Sequence, residues 1–237
     1  MTMTNGVARD RRLARRQLTR INPFDRCLHL AYDESSDYVR CYTNECVEET
    51  EKHMEKLNNA ATVLKEMNTV RQIRQYRPEP VGQEMVDALL EAARWTGSSR
   101  NTQPWHFLVV TDAGLLKDLS QLRTSINWLA DAALGIAIVL DGGDATQEAY
   151  DEGRVTERVM IAAHLLGLGS GVAWFLGAEN EAEAKRLLGI PADRTAHSII
   201  AVGHPITSKD PRPNPVRGGR KPMSEIVSHN RMGNGAE

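Results

Sequence analysis

The sequence is poor in several things at once. Of its 237 residues three are cysteine and 5% are aromatic, and the formal net charge is only -2. So few cysteines, odd in number, exclude a disulfide-stapled scaffold and point to a reducing, cytoplasmic setting. No apolar run approaches the roughly 18 residues of a bilayer-crossing helix, so no membrane partner is expected. Near-neutral charge gives no global attraction to nucleic acid. Several catalytic signatures are also missing: Gly-x-Gly-x-x-Gly after a strand, a phosphate loop ending in Gly-Lys-Ser/Thr, His-Glu-x-x-His and Gly-x-Ser-x-Gly. Chemistry by a hydrolase triad, a zinc-bound water or a phosphate-loop lysine is not written here.

What is present begins with segregated charge. Residues 1–24 hold six arginines against Asp10, a local +5, and residues 25–56 hold nine acids against four bases, a local -5. Neither block has the periodicity of a packed element, so 1–56 reads as an N-terminal extension, partly disordered, and 57–237 as the folded domain. Val63, Leu64, Met67 and Val70 predict a helix over about 60–70, capped by Asn58 or Asn59. Val86, Leu89, Leu90 and Ala93 predict a second, and Leu115, Leu116, Leu119 and Leu122 a third. His106–Thr111, Leu134–Leu140, Gly169–Leu176 and Ser198–Val202 are short branched apolar runs and read as strands, Leu134–Leu140 as a central one. Long and short helices follow over about 147–167 and around Ala182–Leu188. Helices alternating with apolar strands make an α/β layered domain. From about 207 a stretch rich in proline, glycine and basic residues reads as an irregular arm.

Two kinds of side chain stand out. Arg71, Arg74 and Arg77 precede the core, and Arg217, Arg220 and Lys221 follow it; guanidinium groups suit phosphate, although each alone also fits a solvated surface charge. Asn101 and Gln103, beside Pro104-Trp105, offer amides that suit the edge of a heteroaromatic ring, or else bond their own turn. The glycines of Gly167-Leu-Gly-Ser-Gly171 let backbone approach something flat, or simply make a tight turn.

Together these segments resemble the nitroreductase family of FMN-dependent oxidoreductases. The resemblance rests on Val70-Arg-Gln-Ile-Arg-Gln-Tyr-Arg-Pro-Glu-Pro-Val81, Leu89-Leu-Glu-Ala-Ala93 and Ser98-Ser-Arg-Asn-Thr-Gln-Pro-Trp-His-Phe107. Ala162-Ala-His-Leu-Leu-Gly-Leu-Gly-Ser170, Val202-Gly-His-Pro205 and Arg220-Lys-Pro-Met-Ser-Glu-Ile-Val227 continue it in order, over about 60–232.

The resemblance implies an α+β three-layer fold with a central mixed sheet flanked by helices, and an obligate-type homodimer with FMN between subunits. It assigns Arg71, Gln72 and Arg74 to the FMN phosphate and ring edge, and Ser98, Ser99, Arg100, Asn101 and Gln103 to the flavin and its ribityl chain. Arg220 and Lys221 fall at the phosphate. Backbone near Trp174 and Phe175 faces flavin N5, and no side chain is catalytic. The implied reaction is ping-pong hydride transfer from NADH or NADPH through N5 to a nitroaromatic, quinone or similar small acceptor; the cofactor carries the difficult step, which accounts for the missing triad. Reductive dehalogenation, azoline oxidation and flavin destruction are rival reactions on the same fold, and a non-catalytic flavin sensor or store is a rival class. Val70 and Gln72 depart from the family's arginine and serine, and the short stretch between Trp105 and Ile136 implies a reduced lid. Cys27, His29, Cys41 and Cys46 are spaced too tightly at Cys27-x-His29 for a zinc finger, so no metal is expected. His164 reads as a packed histidine.

Overall fold

The computed structural model describes residues 44–206 and 219–232. It divides into two units, Met1–Thr69 and Val70–Glu237. Within the first, α1 runs from Asn44 to Thr69. The helix predicted over 60–70 is its C-terminal part, and it continues through position 56, where the extension was expected to end. Asn58 is not its cap but an interior residue, whose carbonyl accepts from Thr62 Oγ1 at 3.0 Å. The charged first half lacks apolar periodicity, yet glutamate, lysine and methionine are strong helix formers in their own right. The acidic residues before 44 lie outside the described residues.

The second unit contains α2 (Gln83–Arg94), a 3-10 turn (Ser99–Asn101), β1 (Trp105–Val110), α3 (Ala113–Ser120) and a longer 3-10 segment (Thr124–Asp131). It continues through β2 (Leu134–Leu140), α4 (Ala145–Leu165), β3 (Gly169–Trp174), α5 (Ala178–Leu188), β4 (Ser198–Gly203) and the short α6 (Met223–Ile226). The strands form one sheet in the order β1-β2-β4-β3. Every neighbouring pair is antiparallel. The mixed sheet implied by the resemblance is thus corrected: among the described residues the parallel component is a single bridge between Gln72 and Ser170.

Both faces are covered. On one, Leu134, Ile136, Ile138 and Leu140 of β2 and Ile200 and Val202 of β4 pack with Val86, Leu89 and Ala93 of α2 and Val155, Val159 and Ala163 of α4. On the other, Ala137, Ile199, Ala201, Ala173 and Phe175 meet Leu116 and Leu119 of α3, Ile126 and Leu129 of the 3-10 segment, and Ala184 of α5. The strand period of two divides β2 and β4 between the two layers, which is why these runs are apolar throughout rather than alternating. All seven residues of β2 are buried. At about 1.5–3 kcal/mol per fully buried Leu or Ile, this central pair is the main source of cohesion. Helix ends are fixed locally: Asp112 accepts from the Leu115 amide at 2.8 Å, Asp144 accepts from the Thr146 and Gln147 amides at 2.9 Å, and α5 stops at Gly189 with φ 66°.

Candidate functional site

The register shows which candidate residues can meet. Trp105 pairs with Leu140 and Trp174 with Ser198, while Leu140 also bridges Thr195. The start of β1, the end of β2, the start of β4 and the end of β3 therefore share one end of the sheet.

The loop entering β1 carries Ser98, Ser99, Arg100, Asn101 and Gln103. Ser98 Oγ accepts from the Gln103 amide at 2.8 Å and closes the loop. Arg100, Asn101 and Gln103 have φ of 51°, 56° and 49°, the left-handed region that side chains other than glycine rarely occupy. Three such residues within four positions store backbone strain of the sort that collects at binding sites. Ser98 and Ser99 line an open cleft of about 540 Å³ with Asp144, Thr146, Gln147, Tyr150 and Arg154 of α4 and its cap. Arg158 Nη1 donates to the Trp95 carbonyl at 2.8 Å, so α4 also holds the stem of this loop.

Arg71, Gln72 and Arg74 lie elsewhere. The Ile73 amide donates to the Ser170 carbonyl at 2.7 Å and the Arg77 amide to the His204 carbonyl at 2.8 Å, which lays this exposed segment along the outer edge of β3. Tyr76 is buried behind it and donates its hydroxyl to the Ile73 carbonyl at 2.6 Å. Burial pushes that hydroxyl's pKa well up, against the lowering effect of Arg74. β1 and β3 are opposite edges of the sheet, three strand spacings or about 15 Å apart, and the covering helices close both faces between them. One chain keeps its serine and amide loop and its arginine segment on different sides.

At the end of β3 the two remaining strand candidates part company. Trp174 is 48% exposed, its ring lies 6.2 Å from that of His197, and its carbonyl accepts from Arg123 Nη1 at 2.7 Å. Phe175 is fully buried among the core residues and its amide donates to the His197 carbonyl at 3.0 Å. Phe175 therefore keeps its ring in the core and its amide on the His197 carbonyl. The glycine-rich run has a local explanation too. A Cβ on Gly169 would sit 2.8 Å from Ile73, and one on Gly171 2.5 Å from the Ile73 carbonyl and 3.1 Å from the Trp128 ring. The flat neighbour of Gly171 is the protein's own indole. Arg220 and Lys221 are exposed just before α6; Arg217, Cys27, His29 and Cys41 lie outside the described residues, as does the Cys46 side chain.

The chain is similar in sequence and fold to known proteins. The nitroreductase family model matches residues 70–139. A protein of Archaeoglobus fulgidus, named provisionally as an NADH dehydrogenase/NAD(P)H nitroreductase, is 34% identical over 153 residues, covering 62% of this chain and 87% of that one. The chain belongs to the nitroreductase family. The FMN reductase [NAD(P)H] of Bacillus subtilis is 29% identical over 175 residues, 63% of this chain and 69% of that one. Among solved structures, an FMN-dependent nitroreductase from Clostridium difficile superposes with a TM-score of 0.58 at 27% identity, covering 63% of this chain and 91% of its own.

For a nitroreductase-family chain, some of the residues around the candidate site carry no motif of their own. Arg123 and Trp128 sit in the 3-10 segment or at its cap, where no periodicity flags them. Arg154 lies on α4 in a sequence that reads as an ordinary charged helix face. Only the fold brings Arg123 to Trp174, Trp128 to Gly171 and Arg154 to Ser98 and Ser99. Leu176 and Gly177, with φ of 46° and 96°, turn the chain out of β3 beside Trp174. A leucine in that conformation has no sequence signature.

Proposed function

We propose that the chain is an NAD(P)H-oxidising flavin reductase that works as a homodimer, with FMN held between subunits. The observation that carries this reading is the separation of the two donor groups onto opposite edges of a sheet covered on both faces. A second copy supplying its 98–103 loop to the first copy's 71–74 segment makes a closed site from two open halves. Exposed Trp95, just past α2, and Tyr150 and Leu165 on α4 leave apolar surface for such a contact.

The donor set suits FMN. Hydroxyls of Ser98 and Ser99 and amides of Asn101 and Gln103 fit a polyhydroxyl chain and a heteroaromatic edge that both donates and accepts. The guanidinium groups of Arg71 and Arg74, with the basic pair Arg220 and Lys221, fit a phosphate and a ring edge that gains negative charge on reduction. Gln72 lies beside them at the bridge to Ser170. Because the Phe175 amide is bonded to His197, the backbone offered to the ring at the end of β3 comes from Trp174 and the positive-φ Leu176–Gly177 turn beside it. Bound FMN supplies the hydride and electron chemistry. The chain's part is to bind, to orient and to keep cations at one edge of the ring, while exposed Trp174 gives a flat acceptor such as a nitroaromatic or a quinone a surface to stack on.

The test is direct. Purified protein is expected to be yellow or to take up FMN on titration, to run as a dimer, and to bleach anaerobically with NADH or NADPH and recolour with a nitroaromatic or quinone. Protein that takes up no FMN overturns the reading. FMN that binds but is reduced by neither nicotinamide shows a flavin-holding protein instead of a reductase.

A further inference from the structure

We propose that Trp128 positions the Arg74 guanidinium for the cofactor. This rests on the reading above that Arg74 meets the flavin nucleotide.

The backbone around Arg74 is held tightly. The Ile73 amide is bonded to Ser170, the Ile73 carbonyl accepts from Tyr76, and the Arg77 amide is bonded to His204. None of these fixes the Arg74 side chain, whose flexible stem carries about 2 kcal/mol of rotamer entropy. The indole does. Arg74 Cζ lies 5.5 Å from the centroid of the Trp128 ring, within cation–π range.

The platform is itself anchored. Trp128 Nε1 donates to the Ser125 carbonyl at 3.0 Å. Its six-membered ring reaches Gly171, where a Cβ would approach Cη2 to 3.1 Å and Cζ3 to 3.2 Å. Gly171 thus admits the indole and the Ile73 carbonyl to the same stretch of β3, and so brings Trp128 and Arg74 together.

Stacking has a chemical consequence that an ion pair would not have. A carboxylate partner would neutralise Arg74 and occupy its N–H fork, whereas an aromatic face attracts the cation, leaves the charge intact and leaves the in-plane donors free for phosphate or a ring edge. Among the described residues no ion pair with a carboxylate is formed by Arg74. Trp128 therefore prepays the ordering of a cation whose charge is still available.

The experiment is a double-mutant cycle read by FMN titration of apoprotein. Trp128→Ala is expected to weaken FMN about three- to tenfold, the range of one partly desolvated cation–π contact. Trp128→Phe, which keeps a ring face, is expected to recover most of that loss. In an Arg74→Ala background Trp128→Ala should cost almost nothing more, because the contact it supports is already gone. Thermal unfolding of each variant, led by Trp128→Phe, separates folding from binding. Full additivity of the two alanine variants, or FMN binding lost in Arg74→Ala and untouched in Trp128→Ala, overturns the proposal while leaving the flavin reading standing. Wild-type protein that binds no FMN overturns both.

Discussion

Ser198, the first residue of β4, donates its hydroxyl to Glu152 of α4 across 2.6 Å, and both side chains are buried. A carboxyl inside a layered core is a titratable liability that the fold has accepted. Burial raises its pKa above the ordinary glutamate range, and the Ser198 hydrogen bond and the His197 charge oppose this. Glu181 and Glu148 push it further up.

The sign of the pH dependence follows. The folded chain keeps this proton to higher pH than the unfolded chain, so the associated stability is full below about pH 4.3 and is lost as pH rises through the raised folded value. Glu152→Gln has no such loss and can still accept from Ser198. Urea unfolding at a series of pH values from about 4 to 7 should show the variant gaining on wild type as pH rises. A difference that stays flat with pH would remove Glu152 from the titration.

Gly171→Ala should destabilise by about 1–3 kcal/mol, the cost of overpacking against atoms that cannot retreat. The obstructing atom is the Ile73 carbonyl, pinned by Tyr76. Gly82→Ser is the contrasting change: nothing lies within 4 Å of a Cβ there, and Gly82 caps α2 in an extended conformation with no side-chain bond. Chemical denaturation should find it neutral or more stable by a few tenths of a kcal/mol.

Asp151 is fully buried, neither of its carboxylate oxygens has a hydrogen-bond partner among the described residues, and its ion pair with Arg154 Nη1 is 3.6 Å long. Arg154→Ala should therefore cost about 1–3 kcal/mol, discounted for the half-exposed arginine. Adding Asp151→Asn should return part of it, because the stranded charge is gone. Equal stability of the single and double variants would contradict this coupling.

Ser98→Ala removes the acceptor that closes the strained loop onto the Gln103 amide. A lost hydrogen bond of about 0.5–1.5 kcal/mol corresponds to roughly two- to twelvefold weaker FMN binding. Flavin titration measures it, and an unchanged affinity would show that the loop holds its shape without the serine.

The proposed site shared between two copies predicts complementation. Arg74→Ala and Asn101→Gly each disable one half of every site in a homodimer, and the glycine keeps the left-handed backbone that position requires. After subunit exchange each mixed dimer has one intact and one doubly altered site, so activity should return to about a quarter of wild type. Mixtures that stay inactive after verified exchange would place both segments in one subunit's site.

Much of this molecule was legible beforehand because its signals are local. Leu134–Leu140 is apolar on both faces, as a central strand covered by two helical layers has to be. The apolar repeats Val86–Leu89–Leu90–Ala93 and Leu115–Leu116–Leu119 each fall within an observed helix, because helix spacing is a local property. The α1 boundary was not legible in this way, since helix propensity carries Asn44–Thr69 through a charged stretch that apolar spacing cannot see. The 3-10 segment Thr124–Asp131 was invisible for a related reason: its buried residues, Ile126 and Leu129, are three apart within a run too short to define a period.

The sequence by itself determined which residue types are available to a flavin and, through strand and helix periodicity, the layered core that would carry them. The tertiary structure alone decided where they stand. Strand order is a long-range property that no local pattern encodes, and the order β1-β2-β4-β3 sends the Ser98–Gln103 loop and the Arg71–Arg74 segment to opposite edges. The same pairing turns Phe175 inward and seats Trp128 against Gly171.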